Sequence, residues 1–177
     1  MNAAPQPLTP AEVWGAILAP KFTRFRQILV AGAEPHGRKA LTMWRPPRRA
    51  RSLDVGCGFG ESTLELASHV SATTAVIGLD VATAFLDVAR ADAGRRFARN
   101  VRFVRADAEA YEPPERFDFV FSRFGTMFFE RPIATFRELR AMTRRGGRLV
   151  MTTWRRLAEN PWLSVGKEVA RAWLPKP

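Results

Sequence analysis

Three aspartates that follow apolar runs, Asp54, Asp80 and Asp107, are the side chains of this chain best placed to hold a polar ligand. Around the first, Leu53-Asp54-Val55-Gly56-Cys57-Gly58-Phe59-Gly60-Glu61 reads as a strand, a loop with glycine at every second position, and the start of a helix. Glycine lets a backbone bend sharply and lets a ligand lie against it without an intervening Cβ. In an open α/β sheet, ligands sit at the carboxyl ends of strands. Gly56, Gly58 and Gly60 spell G-x-G-x-G, whereas a dinucleotide fingerprint is G-x-G-x-x-G, and Glu61 stands where its third glycine would be. Asp54, two residues before the first glycine, favours a cationic ligand group over a pyrophosphate. A strand-end aspartate can also be a plain helix cap, but three in this order and spacing favour ligand binding.

The elements that must position these acids alternate. From Arg51 the pattern predicts strand 51–55, helix 61–70, strand 74–79, helix 83–92, strands 101–106 and 117–122, helix 132–143 and strand 148–153. The strands are nearly continuous apolar runs, as in a sheet covered on both faces. Repeated strand-helix units imply right-handed crossovers and a parallel sheet. Pro113-Pro114 forbids regular structure between the third and fourth strands. Before the sheet, Pro10 to Ala19 forms a short helix that Pro20 interrupts, and Phe22, Phe25, Ile28 and Leu29 recur at the spacing of a second, amphipathic one. Pro46-Pro47 marks a linker, which divides the chain into an N-terminal helical segment, 1–46, and a main domain, 47–177. After the sheet, Asn160 caps a last helix with Trp162, Val165, Val169 and Trp173 on one side.

The glycine loop and the segments C-terminal to it resemble, in order, the motifs of the class I S-adenosylmethionine (SAM)-dependent methyltransferases. Val76-Ile77-Gly78-Leu79-Asp80 is similar to the family's second strand, with its acid 24 residues after Gly56 where about 20 are expected. Val101 to Ala108 is similar to the third strand, Phe117 to Gly125 to the fourth strand and its loop, and Arg144-Arg145-Gly146-Gly147 to the Pro-Gly-Gly turn into the fifth, with Arg145 in place of proline. The resemblance covers roughly residues 50 to 155. The Ser122-Arg123-Phe124-Gly125 wording, Trp154 and Glu159-Asn160-Pro161-Trp162 narrow it to small-molecule enzymes similar to those of quinone biosynthesis.

The resemblance implies a Rossmann-like α/β fold, SAM as cofactor and a role for each residue. Asp54 would accept from the ligand ammonium, directly or through water, and Gly56, Cys57 and Gly58 would line the methionine part. Gly60 would let the following helix approach closely. Asp80 would take the ribose hydroxyls, Val81 would pack on adenine, and Asp107 with the Ala108 backbone would meet the adenine edge. Ser122, Arg123 and Phe124 would face the methyl-transfer zone. Transfer is an in-line displacement in which alignment supplies much of the rate, and a general base is required only if the acceptor must lose a proton. His36, in a Glu-Pro-His-Gly turn, is one candidate base, and His69 is expected at the surface. Arg123 could orient an anionic acceptor or pair with Asp118.

At 177 residues the chain suits a single domain. No run approaches the ~18 apolar residues of a membrane span. Residues 1–10 lack the pattern of a signal peptide, and the lone Cys57 suits a reducing cytoplasm. No Cys or His cluster has metal spacing. The net charge of +11 raises an RNA methyltransferase as an alternative. Against it, 24 of the 28 basic residues are arginines spread along the chain without interleaved aromatics. The family's last two strands are missing, so strand five becomes a sheet edge, which tends to recruit another chain. That edge leaves three expectations open: a truncated fragment of a longer chain, a homo-oligomer paired across it, or a partner chain completing a non-catalytic SAM-binding subunit.

Overall fold

The computed structural model describes residues 8–171 and residue 173. Residues 1–7, on which most of the signal-peptide argument rests, and the side chain of Trp162 lie outside the described residues. Five strands, β1 (Ser52–Val55), β2 (Val76–Asp80), β3 (Val101–Arg105), β4 (Phe117–Arg123) and β5 (Thr143–Thr152), form one parallel sheet in the order β3-β2-β1-β4-β5. The chain reverses direction of travel across the sheet between β3 and β4, which opens a crevice beyond the tips of β1 and β4. In open α/β sheets that crevice is where ligands bind.

The apolar runs bury on both faces. One core cluster joins Leu41, Leu66, Val76, Phe119, Phe121 and Val150. The other joins Leu53, Val55, Ile77, Leu79, Phe117, Val120 and Leu139. Helices α4 (Glu61–His69), α5 (Thr83–Arg95) and α6 (Pro132–Met142) follow β1, β2 and β4, and no helix separates β3 from β4. No described helix is long and apolar enough to cross a membrane.

Three local expectations change. Pro20 does not end the first helix. Short α1 (Pro10–Glu12) leads into a π-helical stretch (Val13–Leu18) and then α2 (Ala19–Arg24), with Pro20 in the first turn of α2. The wider π turn hands the Ala19 N–H to Trp14 O, and proline's missing donor matters least in a first turn. The break falls instead at Phe25, so α3 begins late and runs Arg26–Met43 straight through Pro35. Consequently His36 is helical, not in a turn. Finally, the Arg144–Gly147 turn belongs to β5, where Phe117 pairs with Thr143 and Phe119 with Arg148. The extra residues form a bulge around Gly146, a device that bends a strand without ending its pairing.

The last helix, α7 (Pro161–Arg171), has exposed Val165 and Val169, and Trp173 beyond it is exposed as well. Asn160 turns its amide back, donating Nδ2 to the carbonyls of Arg155 (2.9 Å) and Arg156 (3.0 Å).

Candidate functional site

Beyond the tips of β1, β2 and β4 lies a cleft of about 890 Å³. Ligand pockets run to roughly 300–1,000 Å³, so this one is large enough for a nucleoside and a second molecule. The glycine loop forms its floor. Gly56 and Gly58 have φ of +67° and +53°, which glycine adopts at no steric cost. The two residues after β1 also donate their N–H groups to Leu79 O, at 2.8 Å from Gly56 and 3.0 Å from Cys57. The loop is thereby tied to the end of β2. Asp80 closes this tie: its Oδ2 accepts from Gly58 N at 2.9 Å and its Oδ1 from Ala82 N at 2.9 Å. Burial pushes the Asp80 pKa up, against the pull of the Ala82 and Gly58 donors.

Of the residues named from the sequence, Gly56, Cys57, Gly58, Asp80, Val81, Asp107, Ala108, Arg123 and Phe124 line the cleft. Asp107 sits after β3 with Oδ1 accepting from Glu109 N at 2.9 Å. Burial raises the Cys57 thiol pKa well above the ordinary value, and the Asp54 and Asp80 carboxylates add to the rise. The thiol is therefore neutral, and Cys57 packs as a small apolar residue.

Three of the named residues do not line it. Asp54 is fully buried, and its Oδ2 accepts from Ser62 Oγ (2.7 Å) and Thr63 Oγ1 (2.6 Å). It anchors the first turn of α4 to β1, a structural role close to that of a helix cap. Gly60 lies beneath the loop, where a Cβ would come within 2.8 Å of Ala89 Cβ and 2.9 Å of Phe103. Ser122 is buried and donates to Val55 O at 2.8 Å, which locks β4 to β1. A side chain that alternates inward along a strand cannot also reach the rim.

Burial raises the Asp54 pKa from 3.8 to about 6, outweighing the Thr63 and Ser62 hydroxyls and the Arg123 charge. The other oxygen, Oδ1, has no hydrogen-bond partner among the described residues. Between the two pKa values the unfolded chain has released the proton and the folded chain still holds it, so stability falls as pH rises. Asp54 should therefore cost the fold on the order of 3 kcal/mol between pH 4 and pH 7. Asp54→Asn should flatten that part of the profile in urea unfolding at a series of pH values. Parallel profiles for the two proteins would exclude Asp54 as the titrating group.

The N-terminal helices supply much of the wall. Trp14, Phe22, Ile28, Leu29 and His36 line the cleft, and Trp14 and Phe22 pack with the cluster of Ala19, Phe59, Ala82 and Phe85. Helical spacing marks Phe22, Ile28 and Leu29, although Ile28 and Leu29 face open cleft rather than core. Trp154 stacks on Phe124 at 4.2 Å, and the His36 ring meets both edge-on, at 5.6 Å from Phe124 and 5.5 Å from Trp154. Phe124 holds φ at +61°, a left-handed conformation rare for a bulky residue and a frequent mark of functional sites. His69 lies elsewhere, accepting from Arg45 Nε at 3.1 Å on Nδ1.

Glu61, read from the sequence only as a misplaced fingerprint position, is also in the lining. Its Oε1 accepts from Arg26 Nη2 (2.7 Å) and Nε (3.1 Å), and Arg26 also pairs with Asp92. Arg123 does not pair with Asp118. That carboxylate accepts from Arg51 N (2.9 Å) and Arg144 Nη1 (3.0 Å), because the Asp118 side chain lies at the opposite end of β4. The Glu61 contact with Arg26 could not be read in advance, since it joins residues 35 positions apart across two elements.

The methyltransferase domain family matches residues 53–147. The aklanonic acid methyltransferase DauC of Streptomyces sp. (strain C5) is 30% identical over 120 residues, 67% of this chain and 54% of that protein. The ubiquinone/menaquinone biosynthesis C-methyltransferase UbiE of Azotobacter vinelandii is 31% identical over 144 residues, 80% of this chain and 56% of that one. The crystal structure of YcgJ from Bacillus subtilis superposes with a TM-score of 0.60 and 25% identity, covering 65% of this chain and 48% of the other. The chain thus spans about half the length of these curated relatives.

Proposed function

Because the chain belongs to the class I SAM-dependent methyltransferase family, we propose that its cleft binds SAM and serves methyl transfer to a small-molecule acceptor. The observation that carries this reading is the Asp80 carboxylate at the rim of the glycine loop. Each of its oxygens accepts one backbone N–H, and a carboxylate oxygen has a second lone pair for a hydroxyl. The residues fit the cofactor in other respects too. The Gly56–Gly58 backbone offers a floor without side chains, Val81 and Ala108 give apolar contact for a base, and Asp107 brings a carboxylate to the same wall. SAM supplies a methyl group already activated by its sulfonium.

The chain's own residues would then bind, align and shield. The wall of Trp14, Phe22, Ile28, Leu29, Phe124 and Trp154 keeps water from the transfer zone and suits an apolar, flat acceptor. Holding the acceptor against it converts a bimolecular encounter into an aligned one. Residues 1–46 act in this reading as the cover and 47–177 as the SAM-binding domain, in a cytoplasmic protein. The outer edge of β5, which pairs only with β4 among the described residues, suits a further strand, whether from a longer form of this chain, a second copy or a partner chain. Relatives named for aklanonic acid methylation and for ubiquinone/menaquinone biosynthesis favour a small molecule over RNA.

Calorimetric titration with SAM and with its demethylated product tests the cofactor. A Kd in the micromolar range is expected for both, and absence of heat and of any thermal stabilisation at millimolar SAM would overturn the reading. Incubation with methyl-labelled SAM and a panel of aromatic acceptors then tests transfer.

A further inference from the structure

We infer that Arg123 is the anion-recognising residue of the cleft, and that the acceptor presented to it is a planar molecule bearing a carboxylate. The inference rests on the methyl-transfer reading and adds the substrate class to it.

Arg123 ends β4 and lines the cleft with a side chain only 9% exposed. Its Nη1 is buried and has no hydrogen-bond partner among the described residues. Its Nη2 stands 3.9 Å from Glu61 Oε2, too far for a hydrogen bond. Glu61 is in any case engaged by Arg26 at 2.7 Å, so one carboxylate faces two guanidinium groups. The acid on its own strand, Asp118, is taken by Arg51 N and Arg144. Three more acids of the cleft wall have partners of their own. Asp80 holds the glycine loop, Asp107 accepts from Glu109 N, and Glu109 accepts from the backbone of Glu130 and Arg131. Glu61 and Asp54 supply negative charge near Arg123, yet its buried Nη1 donates to nothing among the described residues. An unbonded buried donor is costly, and the planar fork matches a carboxylate.

The position of that fork is fixed by a close helix contact. Gly37 of α3 abuts the Arg123 stem, and a Cβ there would lie 2.9 Å from Arg123 Cδ. The neighbouring pair, His36 on α3 and Phe124 after β4, is in ring contact at 5.6 Å. Two consecutive residues of the cover thus meet two consecutive residues of the strand tip. The result is a fork donor beside a flat wall, the stacked Phe124 and Trp154 rings at 4.2 Å. An aromatic acid satisfies both at once: its ring lies along the wall and its carboxylate meets the guanidinium fork that Arg123 contributes to the lining.

The probes are 2-naphthoate and its neutral isostere 2-naphthamide, titrated by calorimetry with and without S-adenosylhomocysteine. The parent protein should prefer the acid by about tenfold or more, the value of a charge-assisted fork. Arg123→Gln should erase the preference while shifting the SAM Kd less than about threefold. Arg123→Lys, which keeps charge without the fork, should retain only part of it, and circular dichroism should show all three proteins folded. Equal affinity of the parent for acid and amide, no binding of the acid, or an intact preference in Arg123→Gln each overturns the inference. So does a loss of SAM affinity in Arg123→Gln with none for methylthioadenosine, since that would put the nucleotide's own carboxylate on Arg123. Failure of the parent to bind SAM would instead count against the methyl-transfer reading, because the comparison without nucleotide still reports on Arg123.

Discussion

Alanine at position 80 is expected to weaken SAM binding about 100-fold. The Asp80 carboxylate already accepts from Gly58 N and Ala82 N at 2.9 Å each. A ligand diol would add one hydrogen bond to each oxygen, and bonds to a charged acceptor contribute about 1.5–3 kcal/mol apiece. Losing two, with water taking part of the deficit, leaves about 3 kcal/mol, or two decades in Kd. The substitution also frees the Gly58 N–H that fixes the loop floor, which acts in the same direction. Calorimetry with SAM checks this, with circular dichroism as the test of folding. A Kd within threefold of the parent would remove Asp80 from the ribose site.

Gly125→Ala should destabilise the protein by about 3 kcal/mol, and more than Gly58→Ala, although both glycines border the same cleft. A Cβ at Gly125 would stand 2.6 Å from Val55 O and 3.0 Å from Gly56 Cα. Those are backbone atoms of the β1 tip, which cannot rotate away as a side chain would. At Gly58 a Cβ meets nothing within 4 Å, so alanine there bears only the left-handed φ of +53°, about 1 kcal/mol. Urea unfolding of the two variants distinguishes them. Equal losses would mean that backbone conformation, not the contact between the strand tips, dominates this junction.

The strand order and the glycine loop were legible because each depends on neighbours in sequence: apolar runs, a glycine at every second position, an acid at a strand end. Asp80 could be read as a rim residue for the same reason. Asp54 and Ser122 could not be separated from it, since a strand-end polar residue points to the ligand or into the sheet according to pleat and tilt. The sequence pattern carries no record of the Ser62 and Thr63 hydroxyls that claim Asp54. Pro20 and Pro35 misled in the other direction. Proline opposes a helix by removing a donor and by crowding the carbonyl four residues back. Pro20 escapes both in the first turn of α2, and α3 runs on through the exposed Pro35. The approach of Glu61 to Arg26 and of Gly37 to Arg123 arises only once the N-terminal helices dock, and long-range docking has no period to betray it.

Phe124 bears on how this protein could be improved. Its left-handed backbone would be easier for glycine or asparagine, yet its ring builds the stacked wall with Trp154. A library sorted purely for heat resistance should drift toward small residues at 124, while one sorted for turnover should hold the aromatic. Thermostability and activity would then pull a single codon in opposite directions.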